Sequence, residues 1–276
     1  MAASPSLILS VLRKCVMNSV EQKTVPVSLV VIVKNSASSL RRCLESAPFV
    51  DEILVVDSGS TDDTVEVARE CGARVLFQDW LGFGPQKKFA VNQAKNDWVL
   101  CLDADEYLSD GLRESMFRLF QSEPSHKAYR FARCNLFLGR FLRHGEGYPD
   151  WSLRLFNKRA SNWTEDLVHE KVEGQGGRLK VGTLSGDLMH ESCESVARYI
   201  EKQNSYTTIQ AERMIAAGKS VSKARILFSP AVRFFKYYFL KLGFLDGFPG
   251  FVHISIGCFT VFLKYVKACF GARAEK

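Results

Sequence analysis

The chain has 276 residues, of which 46% are hydrophobic and 24% charged, with a formal net charge of +7. That is ample apolar material for a core and excludes a disordered chain, and the length suits one large domain or one domain with an appendage. The positive excess favours anionic partners, whether nucleotides, nucleic acid or an acidic membrane surface, without choosing among them.

Residues 1–24 read as an N-terminal extension. Leu7, Ile8, Val11, Leu12 and Cys15 fall at the spacing of a short amphipathic helix. The basic pair Arg13-Lys14 follows this apolar patch, the reverse of a signal peptide. A near-continuous β-branched run over 27–33 predicts a strand buried on both faces, ending at Lys34-Asn35. Ser38 or Ser39 is placed to cap a helix carrying Leu40, Cys43 and Leu44, stopping before Pro48. A second strand over 52–56 ends at Asp57, followed by Ser58-Gly59-Ser60-Thr61 and a helix opened by Asp62 and Asp63 and closed by Gly72. A third strand is expected over 74–77.

Gly82-Phe83-Gly84-Pro85 breaks the chain, and a helix over 86–94 leads into the run Trp98-Val99-Leu100-Cys101-Leu102. That run stops at Asp103, Asp105 and Glu106. This β-α-β-α-β order predicts a parallel sheet with right-handed crossovers. Its strands deliver polar constellations to one carboxyl edge, where open α/β sheets bind nucleotides. Asp103 and Asp105 supply hard oxygen ligands, which suit Mg²⁺ or Mn²⁺ on a diphosphate. The duller reading of the same residues is an acidic turn or helix N-terminus. Gly82 and Gly84 do not make a dinucleotide fingerprint, which argues against a Rossmann dehydrogenase, and no G-x-x-x-x-G-K-[ST] loop is present, which excludes P-loop ATPases.

Beyond Ser109 a helix carrying Leu112, Met116, Leu119 and Phe120 precedes strands over 128–133 and 151–156, separated by a Gly-, His-, Arg- and Tyr-containing loop over 139–150. From Glu194 the pattern is helical. Eight cysteines are scattered without a C-x-x-C pair, which reads as reduced thiols in a cytosolic protein. Residues 225–241 mix Arg225, Arg233, Lys236 and Lys241 with Phe228, Phe234, Phe235, Tyr237, Tyr238 and Phe239, a composition suited to the headgroup region of an anionic bilayer. The next 17 residues, 247–263, carry no Asp, Glu, Lys or Arg, the lower limit for a span. A surface-lying or partly inserted appendage is preferred to a true span, the alternative being two helices packed as ordinary core. Nucleic acid is not expected as a partner, because the basic residues belong to no recognised module.

Three motifs in order, Val30-Val31-Ile32-Val33-Lys34-Asn35, Val55-Val56-Asp57-Ser58-Gly59-Ser60-Thr61-Asp62 and Leu102-Asp103-Ala104-Asp105-Glu106, resemble those of inverting family 2 glycosyltransferases. Gly147-Tyr148-Pro149-Asp150-Trp151-Ser152-Leu153-Arg154-Leu155-Phe156 and Val168-His169-Glu170 are similar to the lipopolysaccharide inner-core β-1,4-glucosyltransferase branch. The resemblance implies a GT-A fold, a mostly parallel twisted sheet flanked by helices. It implies a catalytic domain over 25–193 and a helical, membrane-associating region over 194–276. The implied reaction moves a hexose, glucose by preference, from a UDP-sugar to a heptose of the lipid A-linked core, at the inner face of the cytoplasmic membrane.

Residue by residue, the resemblance places Asn35 and Asp57 at the nucleotide, with Asp57 on the uracil or ribose. It places Asp103 on the ribose or metal side and Asp105 on the metal. Lys87 and Arg154 would be fixed positive charges there. Lys88 is a departure, because relatives usually carry asparagine at that place. Inversion needs a base for the acceptor hydroxyl; Glu170 is favoured, with Asp166 second. The alternatives are that Asp57 holds the turn after it, that Lys87 is an exposed helix residue, and that Arg154 pairs with Asp150. His169 and His190 read as structural or site-lining residues. Transfer to a polyprenyl phosphate, a non-catalytic nucleotide-sugar-binding scaffold at the membrane, and a nucleotidyltransferase are the rival functions.

Overall fold

The computed structural model describes residues 24–166, 170–177, 179–192 and 195–274. The expected N-terminal helix, His169 and Cys193 lie outside the described residues. In chain order the elements are β1 (Val25–Val33), α1 (Ala37–Glu45), β2 (Val50–Asp57), α2 (Thr64–Glu70), β3 (Arg74–Phe77), α3 (Phe83–Gln93), β4 (Trp98–Asp103), β5 (Glu106–Leu108), α4 (Asp110–Leu119) and β6 (Ala128–Phe137). They continue with β7 (Arg140–Phe141), β8 (Asp150–Asn157), β9 (Ser161–Trp163), β10 (Val172–Gly174), β11 (Val181–His190), α5 (Val196–Ala216), α6 (Lys223–Phe235) and α7 (Gly247–Ala274). Two compact units result. The first takes the chain up to Ala104 with Arg113–Tyr129 and Leu153–Gly182, and the second takes Asp105–Leu112, Arg130–Ser152 and the chain from Thr183.

In the first unit the strand order is β3-β2-β1-β4-β8, the first four parallel and β8 antiparallel to β4. β1 is buried along nearly its whole length, as a central parallel strand covered on both faces must be. Val30, Leu54, Val56, Val99 and Cys101 pack with Ala90, Val91 and Ala94 of α3, with Phe156 and Trp163 in the same cluster. The register sets Asp57 opposite Val33 and Asp103 opposite Ile32, so β1, β2 and β4 end together at one edge.

α1 begins two residues earlier than a Ser38 or Ser39 cap would allow. Its N-cap is Ser36, whose backbone N–H donates to Thr64 Oγ1 at 2.7 Å, so a long-range bond and not a local cap sets this helix start.

In the second unit the strand order is β6-β11-β5, with β7 folded back on β6 and β11 antiparallel to β5. Gly186 in β11 takes φ +96°, and a Cβ there would stand 2.1 Å from Leu112 N, so only glycine fits. Ser195 caps α5 and Ser222 caps α6 through their hydroxyls. α6 continues through a π turn over Lys236–Leu240 and a 3₁₀ turn over Gly243–Asp246 into α7. Ala211, Val221, Ile226, Tyr265 and Ala268 form the helical core. Lys267 Nζ closes the α5–α7 seam on Asn204 Oδ1, Thr207 Oγ1 and Thr208 Oγ1 at 2.7–2.8 Å. Gly243–Gly271 is long and apolar enough to cross a membrane by length and composition, and 22% of its most apolar window is buried. The six described cysteines are free thiols.

Candidate active site

At the strand edge of the first unit, Asp57 is 5% exposed and its carboxylate accepts from Gly59 N at 2.9 Å, Ser60 N at 3.1 Å and Ser60 Oγ at 2.5 Å. This is the turn-holding arrangement considered for Asp57. Asn35 is exposed at φ +53°, with Oδ1 accepting from Thr61 N at 2.8 Å and its own N–H donating to Ser60 Oγ at 2.9 Å. The two residues thus knit the end of β1 to the loop after β2. Gln86 of α3, fully buried, donates to Ser58 Oγ at 3.0 Å and ties the same loop to the helix.

Asp103 ends β4 between two buried cations, Lys87 Nζ at 3.1 Å and Arg154 Nη2 at 2.6 Å. Burial alone would raise its carboxyl, but the Arg154 guanidinium and the Lys87 ammonium outweigh burial and hold it well below the usual carboxylate range. Lys87 also reaches Glu170 Oε1 at 2.9 Å. Two of the duller readings therefore fall. Lys87 is 7% exposed and not a solvated helix residue, and Arg154 pairs with Asp103, while Asp150 is held by Arg133 at 2.7 Å. Trp163, which sequence reasoning passed over, lies under both cations, 4.8 Å from Lys87 Nζ and 5.9 Å from the Arg154 guanidinium carbon. Asp166 is exposed, and Lys88, the departure from the family pattern, is engaged with Glu165 at 2.7 Å.

Asp105 follows Asp103 after one residue and belongs to the second unit. The β5–β11 register sets His190 opposite Glu106 and brings His190 Nε2 to 3.3 Å from Asp105 Oδ2. His190 Nδ1 lies 2.7 Å from Asn135 Oδ1. An Nδ1–H donated to that oxygen would leave the Nε2 lone pair free. Nε2 then faces a carboxylate oxygen, a contact that is favourable when a proton or a metal ion lies between them. A ligating histidine uses its second nitrogen in this way, on an outer oxygen acceptor.

Among the described residues no three His, Cys, Asp or Glu cluster as a closed metal cage. One carboxylate and one imidazole, with water completing the shell, would suit Mn²⁺ better than Mg²⁺, which takes an all-oxygen shell. Glu106, the third carboxylate of the motif, is fully buried on Arg133 at 3.3 Å. A cavity of about 890 Å³ in the second unit is lined by Asp105 and His190 together with residues of β6, α5 and α7.

The family described as Glycosyl transferase family 2 matches residues 28–180, and the chain belongs to that family. It is a glycosyltransferase, and the parallel β3-β2-β1-β4 sheet with β8 antiparallel agrees with the expected GT-A fold. An uncharacterized glycosyltransferase of Rickettsia felis is 33% identical over 87% of this chain and 88% of its own length. The lipopolysaccharide core biosynthesis glycosyltransferase LpsC of Rhizobium meliloti is 29% identical over 88% of this chain and 91% of its own. Among solved structures, mannosyltransferase PcManGT from Pyrobaculum calidifontis, in complex with GDP-Man and Mn²⁺, aligns over 95% of this chain and 94% of its own at 13% identity and a TM-score of 0.48.

Proposed function

We propose that the chain transfers a hexose, glucose by preference, from a UDP-sugar to a heptose hydroxyl of the lipid A-linked lipopolysaccharide core, with inversion and with Mg²⁺ or Mn²⁺. The observation that carries this reading is the Asp105–His190 pair, two lone-pair donors 3.3 Å apart lining a cavity large enough for a saccharide. The relative named for lipopolysaccharide core biosynthesis supports the acceptor class.

In this reading Asp105 and His190 would hold a divalent ion, which would supply positive charge to the departing nucleoside diphosphate. Asp57 and Asn35 shape the nucleotide-binding turn. Lys87 and Arg154 fix the Asp103 carboxylate in one rotamer for the ribose. Glu170 is the base, with Oε1 held by Lys87, and Asp166 is second. The membrane reading is supported by Leu227, Phe228, Val232, Leu240 and Phe248, all 66–72% exposed, interspersed with Lys236 and Lys241. A peripheral position on the inner leaflet would bring the enzyme to a lipid-linked acceptor. The domain reading, 25–193 catalytic and 194–276 membrane-associating, is part of the same proposal.

The test is UDP release from a panel of UDP-sugars with heptose-terminated lipid A core or undecaprenyl phosphate, in Mg²⁺ or EDTA. Metal-dependent turnover of UDP-glucose with the heptose acceptor alone is expected. Turnover with the polyprenyl phosphate alone would move the function to charging a lipid carrier. UDP binding without turnover of any pair would leave a scaffold. Glu170→Gln is expected to abolish transfer to a hydroxyl acceptor, and retained transfer would remove Glu170 as the base.

A further inference from the structure

The 890 Å³ cavity of the second unit has one acidic lining residue, Asp105, and that carboxylate is already beside His190. Its other charged lining residues are cations. Arg133 is held by Glu106 at 3.3 Å and Asp150 at 2.7 Å. Arg198 and Lys202 are different: they stand one turn apart on α5, are exposed, and make no ion pair among the described residues. Like charges at i and i+4 of a helix repel one another, a cost that an anion between them reduces. Phe137, Tyr199 and His253 line the same cavity as one aromatic group, with ring centroids 5.3–6.0 Å apart and Tyr199 Oη 3.1 Å from His253 Nε2. Aromatic faces give a pyranose ring an apolar surface to lie on, while its hydroxyls need polar partners, and Asn135 and Ser195 are on the same lining.

We propose that this cavity is the acceptor site and that the acceptor is a saccharide bearing an anionic substituent, phosphate or carboxylate, held by Arg198 and Lys202, with its ring against Phe137, Tyr199 and His253. The proposal rests on the glycosyl transfer argued above and adds the chemical class of what is glycosylated. It places the anion of the acceptor on the α5 side of the cavity.

The test uses the full-length protein and heptose-terminated core oligosaccharide in three forms, untreated, enzymatically dephosphorylated and carboxyl-reduced. Binding is measured by titration calorimetry and transfer by UDP release. Arg198→Ala and Lys202→Ala are each expected to raise the acceptor KM by about tenfold, the size of one charge-assisted contact, with kcat changed far less. Arg198→Lys should recover part of the loss, and Lys219→Ala, on an exposed turn outside the cavity, should leave the KM where it was. Removing the recognised group from the saccharide should weaken binding to the wild type by the two factors combined, about a hundredfold, and have little effect on the double alanine variant. Sensitivity to phosphatase identifies a phosphate, and sensitivity to reduction a carboxylate.

Equal binding of all three forms, or an unchanged KM in both alanine variants, overturns the proposal, as does the absence of binding by any form. Hydrolysis of UDP-sugar by the wild type without acceptor separates the two levels. If it persists while no saccharide binds, the acceptor inference fails and glycosyl donor chemistry stands; if it too is absent, the proposed function fails first.

Discussion

Lys87 is the residue on which the first-unit cluster turns, since one ammonium faces both Asp103 and Glu170. Lys87→Met would leave two carboxylates facing each other across a buried space with Arg154 alone to balance them. Equilibrium urea unfolding should register a loss on the order of 3 kcal/mol. A loss below about 0.5 kcal/mol, the level of an exposed pair, would show the cluster to be solvent-screened. A second residue-scale prediction concerns Tyr148. Burial, then its hydrogen bond to Asp187 at 2.8 Å, pushes the phenol up to about 12. A raised folded-state value means that the stabilisation is fully present below the unfolded value near 10 and is lost as pH rises through about 12. Spectrophotometric titration should find one late tyrosine, and Asp187→Asn should bring it down. Asp57, Asp103, Asp105, Lys87 and Arg154 were legible as site candidates from motif and strand-edge position. Their partners were not: Lys87–Glu170 and Arg154–Asp103 join residues 83 and 51 apart in the chain, and no local periodicity encodes such pairs. Trp163 and the Asn135–His190 contact were missed for the same reason.

Among the elements, α3 is placed by a contact that only glycine permits. A Cβ on Gly84 would stand 2.4 Å from Thr164 O and 2.5 Å from Asp166 O, so the first turn of α3 lies against the backbone that leads to Asp166. Gly84→Ala should cost about 1–3 kcal/mol in thermal or urea unfolding, with transfer impaired beyond the loss of folded protein. Full activity at wild-type stability would mean that the segment yields freely. The parallel strands were readable because β1, β2 and β4 are apolar runs ending in polar residues. β5 has only three residues, and β11 holds Gly182, Gly186 and Asp187, a composition that argues against a strand and is accepted because partners on the sheet satisfy its backbone. β6 likewise runs to Phe137, past the expected end at Arg133, because its second half carries the β7 hairpin. The helix expected over 247–263 continues to Ala274.

For the molecule as a whole, charge and exposed apolar surface predict one behaviour together. Vesicles containing phosphatidylglycerol should bind the purified chain more tightly than phosphatidylcholine vesicles, and salt should weaken the difference as the basic side chains are screened. Phe228→Ser and Leu240→Ser, at positions 67% and 68% exposed, should each reduce partitioning by about tenfold without lowering stability. Equal binding to both vesicles at low salt would remove the electrostatic part, and no binding to either would return these helices to soluble use. Composition announced this region in the sequence. What composition withheld was the bend: α6 passes through a π turn and a 3₁₀ turn before α7, with Asp246 accepting from His144 N at 2.8 Å and Arg143 N at 3.0 Å to fix it.

Trp163 gives the chain an optical property. It is 5% exposed, whereas Trp80 and Trp151 are 47% and 46% exposed, and its indole N–H lies on Cys101 Sγ at 3.5 Å beneath the two cations that hold Asp103. Any event that draws Lys87 or Arg154 away from Asp103 changes the charge around this buried indole, and a shift in tryptophan emission is the expected, label-free report of the state of the ion-pair cluster.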